Sequence, residues 1–191
     1  MIEQAVQKTP IPVPRLLETY RKTIVPTMVE EFHCSNPLAV PRIEKVVVNM
    51  GVKEGMTDIK VLERLARDLS LITGQQPAVT RAKKSIAAFK LRQGASIGLK
   101  VTLRGNRMYE FVDRLFNVAM PRIRDFRGFP LSSFDQEANY SLGLQEQSIF
   151  PEVELDQVAK TQGMDITFVT TTRKKEEAKR LLELLGFPFR K

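Results

Sequence analysis

Thr80–Arg104 reads TRAKKSIAAFKLRQGASIGLKVTLR, and its second half decides the fold. From Ile97 to Arg104 the residues alternate: Ile97, Leu99, Val101 and Leu103 fall on one side, and Gly98, Lys100, Thr102 and Arg104 on the other. A period of two with one apolar and one polar face marks a half-buried strand. Here the open face is basic as well as polar. Ahead of it, the eighteen residues from Arg81 to Gly98 carry Arg81, Lys83, Lys84, Lys90 and Arg92 and no acid. A cationic loop running into a strand with a cationic face suits a nucleic-acid surface.

The totals agree. The 191 residues, 42% of them hydrophobic, are enough for one good-sized core. The net charge of +8 favours a polyanionic partner. The surplus is concentrated: between Pro77 and Arg127 there are twelve Lys/Arg against Glu110, Asp113 and Asp125, a net of +9. From Gly128 to Lys160 the net is −5. One cysteine, Cys34, makes no internal disulfide and no cysteine-rich metal site. No apolar run approaches the roughly 18 residues of a membrane span. The start, MIEQAVQKTPIPVP, lacks the apolar core of a signal peptide. The expectation is a cytoplasmic protein with no membrane partner.

Outward from the basic stretch, the pattern gives alternating helices and strands. Residues 1–14, with Pro10, Pro12 and Pro14, read as a flexible extension, and 15–191 as a single domain. Leu16, Leu17, Tyr20, Ile24, Met28 and Phe32 recur at helical spacing, with Pro26 expected to kink or divide that helix. Ile43–Asn49 is a β-branched strand. Asp58–Thr73 is a helix with Thr57 as cap, a buried stripe of Ile59, Leu62, Leu65, Leu69 and Ile72, and Gly74 as its end. Pro77–Thr80 is a short strand. A second helix follows Gly105, with Asn106 as cap, Met108, Phe111, Val112, Leu115 and Phe116 inward, and Pro121 as its end. Asn139–Gln145 and Met164–Thr170 alternate as strands, and Arg173–Leu185 is a last helix stopping at Gly186. The fold class is α+β: an antiparallel or mixed sheet with helices packed on one face. The other face, with Lys100, Thr102, Arg104, Ser141, Gln145 and Thr167, stays open for RNA. Such faces commonly meet only water; the adjoining cationic loop favours a ligand.

Catalytic chemistry is absent from the pattern. There is no GxGxxG and no GxxxxGK[ST]. His33, the only histidine, adjoins Cys34 in a proline-flanked turn, where thiol and imidazole do not converge. The acids between Asp135 and Asp156 lack the histidines or tight spacing of a metal site and read as a solvated face. No cofactor is implied.

Several runs, in order, resemble one family: VPRIEKVVVNMGV, ITGQQP, TRAKKSIAAFKLRQGASIGLKVTLRG, RMYEF, PRIRDFRG, NYSLG, EQSIFPE, QGMDITFVTTT and GFPFRK. The family is large-subunit ribosomal protein five, the 5S-rRNA-binding protein of the central protuberance, in its bacterial or organellar form. The resemblance covers about residues 15–191 and implies a ribosomal, non-enzymatic constituent. It implies 5S rRNA contacts for Asn49, Gln75 and Thr102, and the strand reading adds Lys100 and Arg104. It implies that the basic loop meets the P-site tRNA through Arg81, Lys83, Lys84, Phe89, Lys90, Arg92 and Gln93. Taken alone, Phe89 reads as a local anchor for the loop. The resemblance further implies that Glu146, Glu152, Glu154 and Asp156 face a basic protein of the small-subunit head, forming an inter-subunit bridge. A simpler account has these acids repelling rRNA. The 23S-type rRNA and other proteins of the central protuberance complete the implied partners.

Two points stand apart. Where the family reads FDGRGNY, this chain has Phe134-Asp135-Gln136-Glu137-Ala138-Asn139-Tyr140. Losing two glycines and an arginine puts a positive-φ turn or phosphate contact there in question. The rival function, an RNA-modifying or RNA-processing enzyme with a basic channel, needs a cofactor pocket and a catalytic group that the sequence does not offer.

Overall fold

The alternating stretches form β1 (Ile43–Gly51), β2 (Ala78–Arg81), β3 (Ser96–Leu103), β4 (Tyr140–Leu144) and β5 (Met164–Thr170). They make one sheet in the order β2-β3-β1-β5-β4, with every neighbouring pair antiparallel. The computed structural model describes residues 12–56, 58–153 and 161–190. Most of the proline-spaced start, the proposed cap Thr57, and the acids Glu154 and Asp156 lie outside the described residues.

One face of this sheet is the core. Val46, Val48 and Met50 of β1, Leu99, Val101 and Leu103 of β3, and Ile166 and Phe168 of β5 are buried there. They join the helical stripes in one cluster. Those stripes are Leu62, Leu65, Leu69 and Ile72 on α3 (Ile59–Thr73), Met108, Phe111 and Val112 on α4 (Gly105–Arg114), and Leu181 and Leu182 on α5 (Lys175–Leu184). Period-two strands bury alternate residues, so the same register that fills the core turns the intervening residues outward.

Two cap assignments and one core assignment need correction. Asp58 caps α3, its carboxylate accepting from the Lys60 N–H at 2.8 Å. Ile59, placed in the buried stripe by spacing, is 68% exposed, so the stripe that meets the core begins only at Leu62. The N-cap of α4 is Arg104, which makes no side-chain cap, and Asn106 lies within the first turn. Gly74 ends α3 in the left-handed conformation, as its position suggested.

Proline governs the remaining helices. α1 (Arg15–Thr19) and α2 (Val25–Phe32) are separated by a π-helical turn, Tyr20–Ile24, in which the Val25 N–H reaches back to the Tyr20 carbonyl. α4 likewise passes into a π-helical turn, Leu115–Ala119, closed by the Met120 N–H on the Leu115 carbonyl. Val25 precedes Pro26 and Met120 precedes Pro121. A proline ring crowds the carbonyl four residues back and supplies no N–H, and the wider turn relieves both conflicts.

The sequence departure at Gln136–Ala138 keeps its turn. Ala138 has φ +58° and is fully buried, so an L-residue occupies the left-handed region here. Asp135 holds the turn: its carboxylate accepts from the backbone N–H groups of Glu137 and Asn139 and from the Asn139 side chain. Burial pushes the Asp135 carboxyl up, but these hydrogen bonds outweigh it and leave the group below its ordinary range. At the other end of the sheet, Gly98 faces Gly51, and a Cβ on Gly98 would stand 2.5 Å from the Met50 carbonyl oxygen. Only glycine lets β3 lie this close to β1.

Two outcomes follow from this packing. Gly98→Ala should lower stability by about 2 kcal/mol or more, read from urea unfolding midpoints, because backbone rather than a flexible side chain must yield. Asp135 has a lowered folded-state pKa, so its contribution is present above the unfolded value and lost as pH falls through the folded one. Acid titration of the unfolding midpoint below about pH 4 should therefore be flatter in Asp135→Asn than in the unaltered protein.

Candidate nucleic-acid interface

The outward face of the sheet is built by register. Lys100 of β3, Asn49 of β1, Asp165 of β5 and Gly143 of β4 stand side by side, with Ala78 of β2 beyond Lys100. The next row is Thr102, Val47, Thr167 and Ser141. Lys100, Asn49, Asp165 and Ser141 are exposed, and Thr102, Val47 and Thr167 are half-buried. The Ser141 and Thr167 hydroxyls are hydrogen-bonded at 2.9 Å, fixing the far side of the face. Among the described residues, no helix buries Lys100, Thr102 or Arg104.

Gln75 reaches the edge of the sheet although it follows a helix. Past the Gly74 turn, its Nε2 donates to the Thr102 carbonyl at 3.3 Å. β2 begins only at Ala78, opposite Lys100, and the Gln75 side chain meets the Thr102 backbone from beyond that start. Asn49, Lys100 and Thr102 share one corner of the open face, and Gln75 is tied to the backbone at its edge. Arg104 sits at the edge of this group and shares its charge with Glu44, 3.0 Å away.

The basic loop is a folded hairpin. The Ala82 N–H donates to the Ala95 carbonyl and the Gly94 N–H to the Ala82 carbonyl, each at 2.9 Å. Ile86 and Leu91 bridge in antiparallel fashion, and the Gln93 N–H donates to Ser85 Oγ at 2.9 Å. A short turn, Ala87–Phe89, ends at Lys90 with φ +52°. Phe89 is 71% exposed at this tip, so it anchors nothing within the loop; the backbone ladder and Ser85 do that work. Arg81, Lys83, Lys84, Lys90, Arg92 and Gln93 are exposed, and only Ala82 is buried. Among the described residues, none of the loop cations is ion-paired.

The acids do not behave alike. Glu146 is exposed and accepts from the Ser148 hydroxyl at 2.8 Å. Glu152 turns inward to Arg114. Sequence reading missed both Arg114 and this pairing, because the two residues are 38 positions apart and share no pattern. It also left Asp165 and Val47 off the site, although the alternation of their strands places both on the open face. Among the described residues, no group of three or more His, Cys, Asp or Glu could hold a metal, and no helix is long and apolar enough to cross a membrane.

Residues 36–92 match the family model described as Ribosomal protein L5, and residues 96–189 match the model for the C-terminus of the same ribosomal family. The first contains β1 and β2 and the second β3, β4 and β5, so the sheet interleaves the two. Among bacterial relatives, the large ribosomal subunit protein uL5 of Ruminiclostridium cellulolyticum is 58% identical over 92% of this chain and 97% of its own. Those of Thermoanaerobacter sp. and Clostridium tetani are 56% and 55% identical over 93% of this chain, covering 99% and 98% of theirs. These relatives are named as proteins of the large ribosomal subunit and not as enzymes, which sets the RNA-modifying alternative aside. The chain belongs to the ribosomal protein L5 family of the bacterial large ribosomal subunit.

Proposed function

We propose that, as a constituent of the large subunit, the chain binds 5S rRNA through the corner formed by Asn49, Lys100 and Thr102, with Gln75 at its edge. The observation that carries this reading is the bare sheet face itself. Amide, hydroxyl and ammonium groups stand in register on a rigid layer, and no described element of the protein lies over them. Amides and hydroxyls can meet base edges and ribose hydroxyls of an unstacked loop, while Lys100 holds phosphate. Arg104 is a secondary contact, since RNA must compete with Glu44 for it. The remainder of the face, with Val47, Thr167 and Ser141, offers room for 23S-type rRNA or for neighbouring proteins of the central protuberance.

The hairpin Arg81–Gln93 reaches the P-site tRNA. Its cations, which have no ion-pair partner among the described residues, hold phosphates without reading sequence, as a contact common to every tRNA requires, and the exposed Phe89 packs on a sugar or base. Its backbone ladder reduces the ordering cost of binding. The acidic segment faces a basic protein of the small-subunit head through Glu146, with Glu154 and Asp156. Glu152 is engaged internally and contributes little there. Exposed ion pairs are individually weak, which suits a contact that slides as the subunits move.

Titration with 5S rRNA should show affinity falling steeply with salt, and Asn49→Ala or Thr102→Ala should each cost about 1–3 kcal/mol. Lys100→Ala should reduce the salt slope by about one contact. Equal affinity for an unrelated RNA of the same length would sink the assignment. Replacing Lys83, Lys84 and Lys90 together by Ala should leave 5S affinity within about twofold while ribosomes lose P-site tRNA faster. An equal loss of 5S affinity in that variant would mean that the loop serves the wrong RNA in this scheme.

A further inference from the structure

Arg114, the last residue of α4, holds the turn that presents Gln75. Its Nη2 donates at 3.0 Å to the carbonyl of Ile72, in the last turn of α3. Such carbonyls have no intrahelical donor and need one from elsewhere. Its Nη1 donates to Glu152 Oε1. The two side chains are only 38% and 25% exposed, and Glu152 Oε2 is buried without a hydrogen-bond partner among the described residues. A half-buried charge pair of this kind resists being opened, because either partner alone is left poorly solvated.

The next residues carry the consequence. The Thr73 hydroxyl bonds to the Leu69 and Gln75 carbonyls, Gly74 turns the chain, and Gln75 reaches Thr102. We infer that Arg114 is a positioning residue for 5S rRNA binding, fixing the Ile72–Gln75 turn in place, with Glu152 orienting its guanidinium. Glu152 thereby acquires a role inside the molecule, and the acidic segment is tied to the RNA-binding turn through one side chain. This rests on the assignment of Gln75 to the 5S site.

The test uses the full chain and 5S rRNA in a double-mutant cycle. Arg114→Met should weaken binding about fivefold or more, with an unchanged slope of log affinity against log salt, because no phosphate contact is removed. On a Gln75→Ala background the same change should add little, whereas with Lys100→Ala the losses should multiply. Wild-type affinity in folded Arg114→Met, a shallower salt slope, or full multiplication with Gln75→Ala would each overturn the inference. If Arg114→Met does not fold, Glu152→Gln takes its place. In that variant amide exchange at Gly74 and Gln75 should quicken relative to β1, and unchanged exchange there would overturn the inference. Undiminished 5S binding by Gln75→Ala would instead remove the site assignment, and the inference with it.

Discussion

β1 is hydrogen-bonded on both sides, to β3 and to β5, and its register cannot slip. Val46, Val48 and Met50 are completely buried on one face. A shift of one residue would drive Asn49 into the core and expose all three. The helices cover the face that these residues define, which leaves the other face in view. The proposed 5S contact depends on that one-sided burial, because a layer covered on both faces would have nothing to offer a nucleic acid.

Charge is divided between the parts in the same spirit. Some of the cations on and around the helices are paired, Arg15 with Asp113, Lys22 with Glu18, Lys174 with Glu177 and Arg180 with Glu31, whereas Lys60, Arg64 and Arg67 on α3 have no ion pair among the described residues. The cations of the Arg81–Gln93 hairpin have no such partners among the described residues. Exposed pairs add little to stability, so the contrast matters for binding more than for folding. The hairpin gains its shape from backbone bonds and Ser85, which leaves its charges available to phosphate. Rigid presentation and free charge are thus supplied by different atoms of the same loop.

Local signals served the sequence reading well wherever they were strong. The strand from Ile97, the Gly74 stop and the strands around Leu142 and Ile166 were legible because period and punctuation agree there. Pro26 announced a break, although a π-helical turn is invisible to a pattern that assumes 3.6 residues per turn. The caps at Thr57 and Asn106 were misplaced by one or two residues: Thr57 adjoins a second cap former, Asp58, and α4 begins at Gly105 with no side-chain cap at all. Ile59 and Phe89 failed for another reason: both are apolar in an apolar rhythm, and only the position of the neighbouring elements leaves them uncovered. The turn at Ala138 looked endangered by the loss of glycine, yet Asp135 and its three hydrogen bonds retain it.

By itself, the order of residues determined that one sheet would have a dry side and a polar side, and that a cationic segment would adjoin the polar one. Side-chain alternation and charge are properties of neighbours in the chain, so they need no partner to be read. Only the tertiary structure decided that Gln75 stands beside Thr102, that Glu44 draws on Arg104, and that Glu152 belongs to Arg114. Those contacts join residues 27, 60 and 38 positions apart. Their partners are chosen by how the helices and strands come to rest against one another, a choice that no local pattern encodes.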